Sequence, residues 1–352
     1  MIVLSIVFLL LVGASFFNIL KGADVYCLIL LIFFGILLVA LATFRIGDRD
    51  FSNYVDVFKD VPDLIEGGGA RDIHGEPGYL FLNSLFKTIG LSYRWVFFAT
   101  SFASVFLALH FFRTNTRYFL IALIVYFSHT FLLRDMMQIR SGVAASISLY
   151  SFKYLYKRSF LPFLTLIVGA ATLHAGVLVF ILGYFIYPLF RENYKRMTWL
   201  VFSGFALGLI FNQSLISFVF TNILHIPAVA IYILDPQYFA SLGLFNPVLI
   251  KNLLLFYFVM KNRDILSQQV PYFDAMTVFL VFGIFWLSAF NNFSILAGRI
   301  ATYFTNGELI LVPSLFYTKY NKILLWGIVV LYCIVMFVSK FSIFENLTFA
   351  FI

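Results

Sequence analysis

Apolar runs of roughly twenty residues, separated by short basic clusters, recur along this chain from its first residue almost to its last. A run of that length matches the hydrocarbon thickness of a bilayer, and lipid offers no partner for an unpaired backbone amide, so each run reads as a helix. The runs fall at about 1–20, 24–44, 94–112, 117–133, 141–156, 159–173, 175–190, 197–216, 247–260, 272–290, 296–317 and 323–341. The expected fold is an all-α polytopic membrane protein with about 12 transmembrane helices, forming a single transmembrane domain over 1–352. Residues 78–91 are apolar but short and contain Lys87, which suits a re-entrant or interfacial helix. The first run lacks a basic leader segment and reads as a span rather than a signal peptide.

Composition removes the main alternatives. Hydrophobic residues make up 62% of the chain and charged residues 11%, against about 25% charged in soluble domains. The formal net charge of +8 does not indicate nucleic acid, because the cations sit between apolar runs as the positive-inside rule requires. Cys27 and Cys333 both lie in apolar runs and form no metal or disulfide motif.

Placing Lys21 inside and alternating puts thirteen of the 24 cations, including Arg113, Arg117, Arg158, Lys261 and Lys322, in loops on one side. The opposite side receives the polar loop 45–77, with eight acids against four bases, and a second loop at 217–246 that reads as an interfacial lid. Both termini fall on that outer side. Residues 159–190 need a break, since a continuous helix of that length would measure about 48 Å. Both ends of the segment are basic and GAATLHAG lies in its middle, so a hairpin of two short spans is expected.

Ionisable groups near membrane depth are costly and are functional candidates. On the outer side the loop Arg45-Ile-Gly-Asp-Arg-Asp-Phe-Ser-Asn-Tyr54 carries carboxylates, Asp50 among them, with Arg45 and Tyr54 as candidates for binding a polar substrate at the membrane surface. Glu76-Pro-Gly-Tyr79 opens the short helix, where a raised carboxyl pKa would suit acid–base chemistry. Arg134 and Arg140 flank the head of a span, and Arg140 precedes Ser-Gly-Val-Ala-Ala-Ser146, small residues that admit close helix packing. An outer-face arginine needs a reason, and bidentate binding of a diphosphate supplies one. His174 at the hairpin tip is a candidate base, with His129 competing for that role. Asn291 to Arg299, with Tyr303 one turn later, is another arginine-headed span. Lys251 reads as an additional cation for an anionic headgroup, and Glu308 as a structural hydrogen-bonding group. Asp48-Arg49-Asp50 spells a DxD, a spacing that can hold a metal, but it stands alone, and no metal or other cofactor is expected.

The order of these features resembles the EpsG-like branch of Wzy-type O-antigen and exopolysaccharide polymerases. Arg45, Gly47, Asp50 and Tyr54 fit its outer R-x-G-x-D-x-x-x-Y-like loop with a one-residue displacement. Glu76, Gly78 and Tyr79 fit its acidic-Gly-Tyr element, and Arg140, His174, Arg299 and Tyr303 follow in order. The resemblance implies a membrane-embedded, GT-C-like glycosyltransferase in the bacterial inner membrane with its site facing the periplasm. The implied substrates, both donor and acceptor, are undecaprenyl-diphosphate-linked oligosaccharides, with a chain-length regulator and a flippase as neighbours. Cations would then stabilise the departing diphosphate: Arg140 and Arg299, with Arg134 or Lys251 assisting. A base would activate the attacking hydroxyl: His174 first, then Asp50 or Glu76. A lipid-linked oligosaccharide flippase and an O-antigen ligase are the competing readings. The absence of internal repeats disfavours a transporter, and the early position of the longest polar loop disfavours the ligase.

Overall fold

The computed structural model describes residues 1–20, 22–65, 73, 75–211, 213–223 and 241–350. Lys21, most of the proposed lid at 217–246 and the part of the outer loop that holds Glu66, Arg71 and Asp72 lie outside the described residues. The architecture is all-helical, as expected of a helical membrane protein. The one addition among the described residues is a two-residue antiparallel pair, Arg45–Ile46 with Thr348–Phe349. The chain forms two compact units: Met1–Ser151 with Phe160–Leu178 and Val312–Ile352, and Phe152–Ser159 with Val179–Leu311.

The first unit begins with α1 (Ile2–Phe17) and α2 (Asp24–Phe44), followed by β1 (Arg45–Ile46) and α3 (Phe51–Asp60). Next come α4 (Pro77–Thr88), α5 (Tyr93–Asn115) and α6 (Phe119–Val125). Then follow α7 (Ile139–Tyr156) and α8 (Phe160–Ala171). Among the described residues two helices, α2 and α5, are long and apolar enough to cross a membrane by themselves. The outward face of α2 leaves Ile29, Ile32, Phe33 and Ile36 each more than half exposed. An apolar face of that extent suits lipid rather than water.

Other runs are interrupted. After α6 the backbone widens into π-helical turns over Tyr126–Asp135, a geometry that often accompanies function. Residues 134–140 are therefore no exposed loop: Arg134 and Asp135 are buried, Arg134 donates to Ser141, and Tyr126 donates to Asp135 at 2.7 Å. The 159–190 stretch does break, between Ala171 and Ala175. With 12 residues, α8 measures about 18 Å, too short to cross about 30 Å of hydrocarbon unaided. The run 296–317 is also broken, by a tight turn at Thr305–Gly307.

Polar contacts fix the two ends of the first unit. At one end the Asn18 side chain accepts from the Leu120 amide at 2.6 Å, Arg117 pairs with Asp24, and Lys322 donates to the Tyr118 hydroxyl at 2.8 Å. Three loops expected on the inside thus meet. The other end of α2 leads into Arg45, whose strand pairs with Phe349, so the C-terminal tail lies at the end opposite the basic loops.

In the second unit the helices Tyr194–Ile210 and Phe273–Ala289 pack through glycine. A Cβ at Gly208 would fall 2.2 Å from the Ser288 carbonyl oxygen, so the two backbones approach closely only because that side chain is absent.

Candidate active site

The short helix α4 explains its own entry sequence. Pro77 occupies the first helical position, where a missing N–H costs nothing. Glu76 is held in extended backbone just before it. Gly78 donates its N–H to the Thr172 carbonyl at 2.8 Å, and a Cβ there would meet Thr172 Oγ1 at 2.7 Å and its carbonyl oxygen at 2.9 Å. Glycine is therefore required where the head of α4 meets the foot of α8, and that junction carries Glu76 against the segment containing His174.

Glu76 is the hub of the site. Its Oε1 accepts from His174 Nδ1 at 2.9 Å and from the Ala175 backbone N–H at 3.2 Å. Its Oε2 pairs with the Arg140 guanidinium at the head of α7. The three side chains keep 17%, 22% and 27% exposure for Glu76, Arg140 and His174, so they are ordered yet reachable. Three segments converge here, with Arg140 and His174 lying 64 and 98 positions beyond Glu76.

The electrostatics reverse one expectation. Burial alone would raise the Glu76 carboxyl, but the His174 hydrogen bond and the Arg140 charge outweigh it and hold the group at about 2. Glu76 is therefore a permanent carboxylate at neutral pH rather than a poised acid, and its chemistry is orientation and charge compensation. Because His174 Nδ1 donates to this carboxylate, the neutral imidazole carries its lone pair on Nε2.

An aromatic floor lies under Arg140, whose Cζ is 5.4 Å from the Tyr79 ring centroid and 5.9 Å from that of Tyr54. The two rings meet edge to face at 5.9 Å in a buried cluster with Val96, Phe97 and Ile139. Burial, only partly offset by Arg140, pushes the Tyr54 hydroxyl up to about 12, so it stays protonated.

Beside this floor Arg45 is fully buried. Its Nε donates to Asp48 at 2.8 Å, it also donates to the Ala42 carbonyl, and its guanidinium lies 4.3 Å over the Phe97 ring. Burial raises the Asp48 carboxyl, against the pull of Arg45. Asp48, rather than Asp50, is the acid that answers Arg45, while Asp50 sits just before α3 with its backbone N–H on Asp48 Oδ1 at 3.1 Å. His129 is buried within the π-helical turns.

The remaining candidates belong to the second unit. Arg299 is exposed on the helix Ser294–Phe304 and Tyr303 is buried in it. Lys251 is paired with Glu308, both nearly fully buried. Sequence reasoning treated those two separately; opposite signs, each isolated in an apolar run, were the signal that they are partners. The Ala175 N–H and Thr172 carbonyl were also missed, since backbone groups leave no residue signature. Among the described residues no group of three His, Cys, Asp or Glu side chains is arranged to hold a metal.

The family model described as EpsG family matches residues 25–351. No curated protein and no solved structure matches the chain.

Proposed function

The chain belongs to the EpsG family, and from that premise we propose that it is a membrane-embedded glycosyltransferase that polymerises lipid-linked oligosaccharides. Family membership supports a polysaccharide-polymerase role in general. The finer reading has three parts. The substrates are undecaprenyl-diphosphate-linked repeat units, the site faces the periplasm across a bacterial inner membrane, and the chemistry is direct displacement at the anomeric carbon. Its support is one observation: Glu76 holds Arg140 and His174 together.

In this mechanism His174 Nε2 takes the proton from the attacking sugar hydroxyl as the new glycosidic bond forms. The anomeric C–O bond breaks, and the electron pair leaves with the diphosphate. Arg140 stabilises that developing charge in a site partly screened from water. Glu76 keeps the imidazole oriented and compensates the imidazolium, the role a carboxylate plays toward a catalytic histidine elsewhere. Arg299 belongs to the second unit and is left out of this scheme. Lys251 and Arg134 are left out of this scheme, since Glu308 and Ser141 bond them within the protein. The outward assignment draws on the first unit, where Arg117 and Lys322 gather at the end away from Glu76.

Deleting the gene in its source and separating surface glycans on a gel tests the reading. The ladder should collapse to a single repeat unit, and complementation with Arg140→Ala or His174→Ala should not restore it. Loss of even the single unit would point instead to export or ligation.

A further inference from the structure

A groove of about 900 Å³ runs along the outer flank of α2 and α5. Its α5 wall is an aromatic ladder of four-residue spacing: Phe98, Phe102, Phe106 and His110 stack with centroid separations of 5.8, 5.9 and 6.2 Å and interplanar angles of 24°, 12° and 20°. Arg94 continues this stripe one turn before Phe98 and lines the mouth. From Arg94 to His110 is about 24 Å along the helix, most of the depth of one hydrocarbon core.

The charges at this groove select its occupant. Its lining contains Arg94 and Arg113 but no carboxylate, and Arg94 forms no ion pair among the described residues. A second copy docked by a two-fold axis would bring like charges together. A long apolar chain ending in an anionic phosphate satisfies both the ladder and Arg94.

The mouth is also continuous with the candidate active site. Arg94 lies 6.0 Å from the Phe44 ring, beside Arg45. Its neighbour Tyr93 packs on Phe97 at 5.5 Å. Phe97 meets Tyr54 at 6.3 Å, and Tyr54 and Tyr79 carry Arg140. One aromatic layer therefore separates the groove from the residues assigned to the diphosphate.

We propose that the groove between α2 and α5 binds the isoprenoid tail of the lipid-diphosphate substrate, with Arg94 at its phosphate end. The proposal rests on the polymerase reading. It is tested on the full-length protein in detergent micelles by titrating farnesyl phosphate and following the emission of Trp95, which lines the mouth, with Trp95→Phe as the signal control. Ala40→Phe, which fills the groove, and Arg94→Gln should each weaken farnesyl phosphate binding about tenfold. Ile36→Phe, one turn earlier on the same α2 wall, serves if Ala40→Phe fails to fold. Farnesol should lose the dependence on Arg94, and phosphatidylglycerol should displace farnesyl phosphate poorly.

Unchanged affinity in these variants overturns the proposal. So does displacement by phosphatidylglycerol at equal concentration, which would make the groove a niche for ordinary bilayer lipid, and so does a change in oligomeric state on filling it. The two readings separate cleanly. If gene deletion collapses the glycan ladder while binding ignores Ala40→Phe, the groove fails and the polymerase reading stands; if the ladder survives deletion while Ala40→Phe weakens binding, the polymerase reading falls and the groove remains a site for an isoprenoid phosphate.

Discussion

Replacing Glu76 by glutamine removes one charge and almost no volume, so it isolates the electrostatic role of the hub. In the folded protein this carboxyl is held at about 2, below its ordinary 4.5. At about 1.4 kcal/mol per unit the difference corresponds to about 3 kcal/mol favouring the ionised folded form. Partial solvation of the site reduces this to about 2 kcal/mol. A depressed carboxyl contributes fully above its unfolded pKa and loses that contribution as pH falls toward the folded value. The wild type should therefore be more stable than Glu76→Gln by about 2 kcal/mol at pH 7. The gap should narrow between about pH 4.5 and pH 2. Denaturant unfolding in detergent micelles at several pH values measures it. A gap below about 0.5 kcal/mol at pH 7, or one independent of pH, would refute the reasoning. Because the amide no longer fixes the histidine tautomer, polymer elongation should also fall by about 100-fold or more.

Other perturbations test the framework around the hub. Gly78→Ala should cost about 1–3 kcal/mol and reduce activity, because the new Cβ collides with Thr172; unfolding of the purified variant reads the cost. Lys251→Met alone should destabilise by about 3 kcal/mol by stranding Glu308, whereas Lys251→Met with Glu308→Leu should regain most of that loss, measured as a double-mutant cycle. Gly208→Ala should open the contact between Tyr194–Ile210 and Phe273–Ala289 and lower stability by about 1–3 kcal/mol, seen as an earlier unfolding transition.

Much of the helix layout was legible because apolar run length is a direct physical constraint. The expected runs 24–44 and 94–112 match α2 and α5 closely, and the break inside 159–190 followed from length alone. The turn at Thr305–Gly307 and the π-helical stretch were not visible, because apolar composition does not distinguish a regular helix from a locally widened or tightened one. The approximately twelve crossings remain an expectation from composition, beside the two helices that meet the length and hydropathy test alone. Glu76, Arg140 and His174 were each legible as ionisable groups beside spans, but their convergence depends on Gly78 meeting Thr172. The sign of the Glu76 shift was misread for the same reason: burial was foreseen, and the two partners that outweigh it were not. Arg45 was read as a ligand-facing cation because an arginine in a polar loop looks solvated, yet Asp48 three positions on allows it to be buried.

Reconstitution of the purified protein with a single lipid-linked repeat unit, followed by gel separation of the products, tests the central claim most directly. Wild-type protein should convert the unit into a ladder with release of lipid diphosphate. His174→Ala and Arg140→Ala, folded and still monodisperse, should leave the unit unextended. A ladder of normal length from either variant would show that the Glu76 cluster is not where the glycosyl transfer takes place.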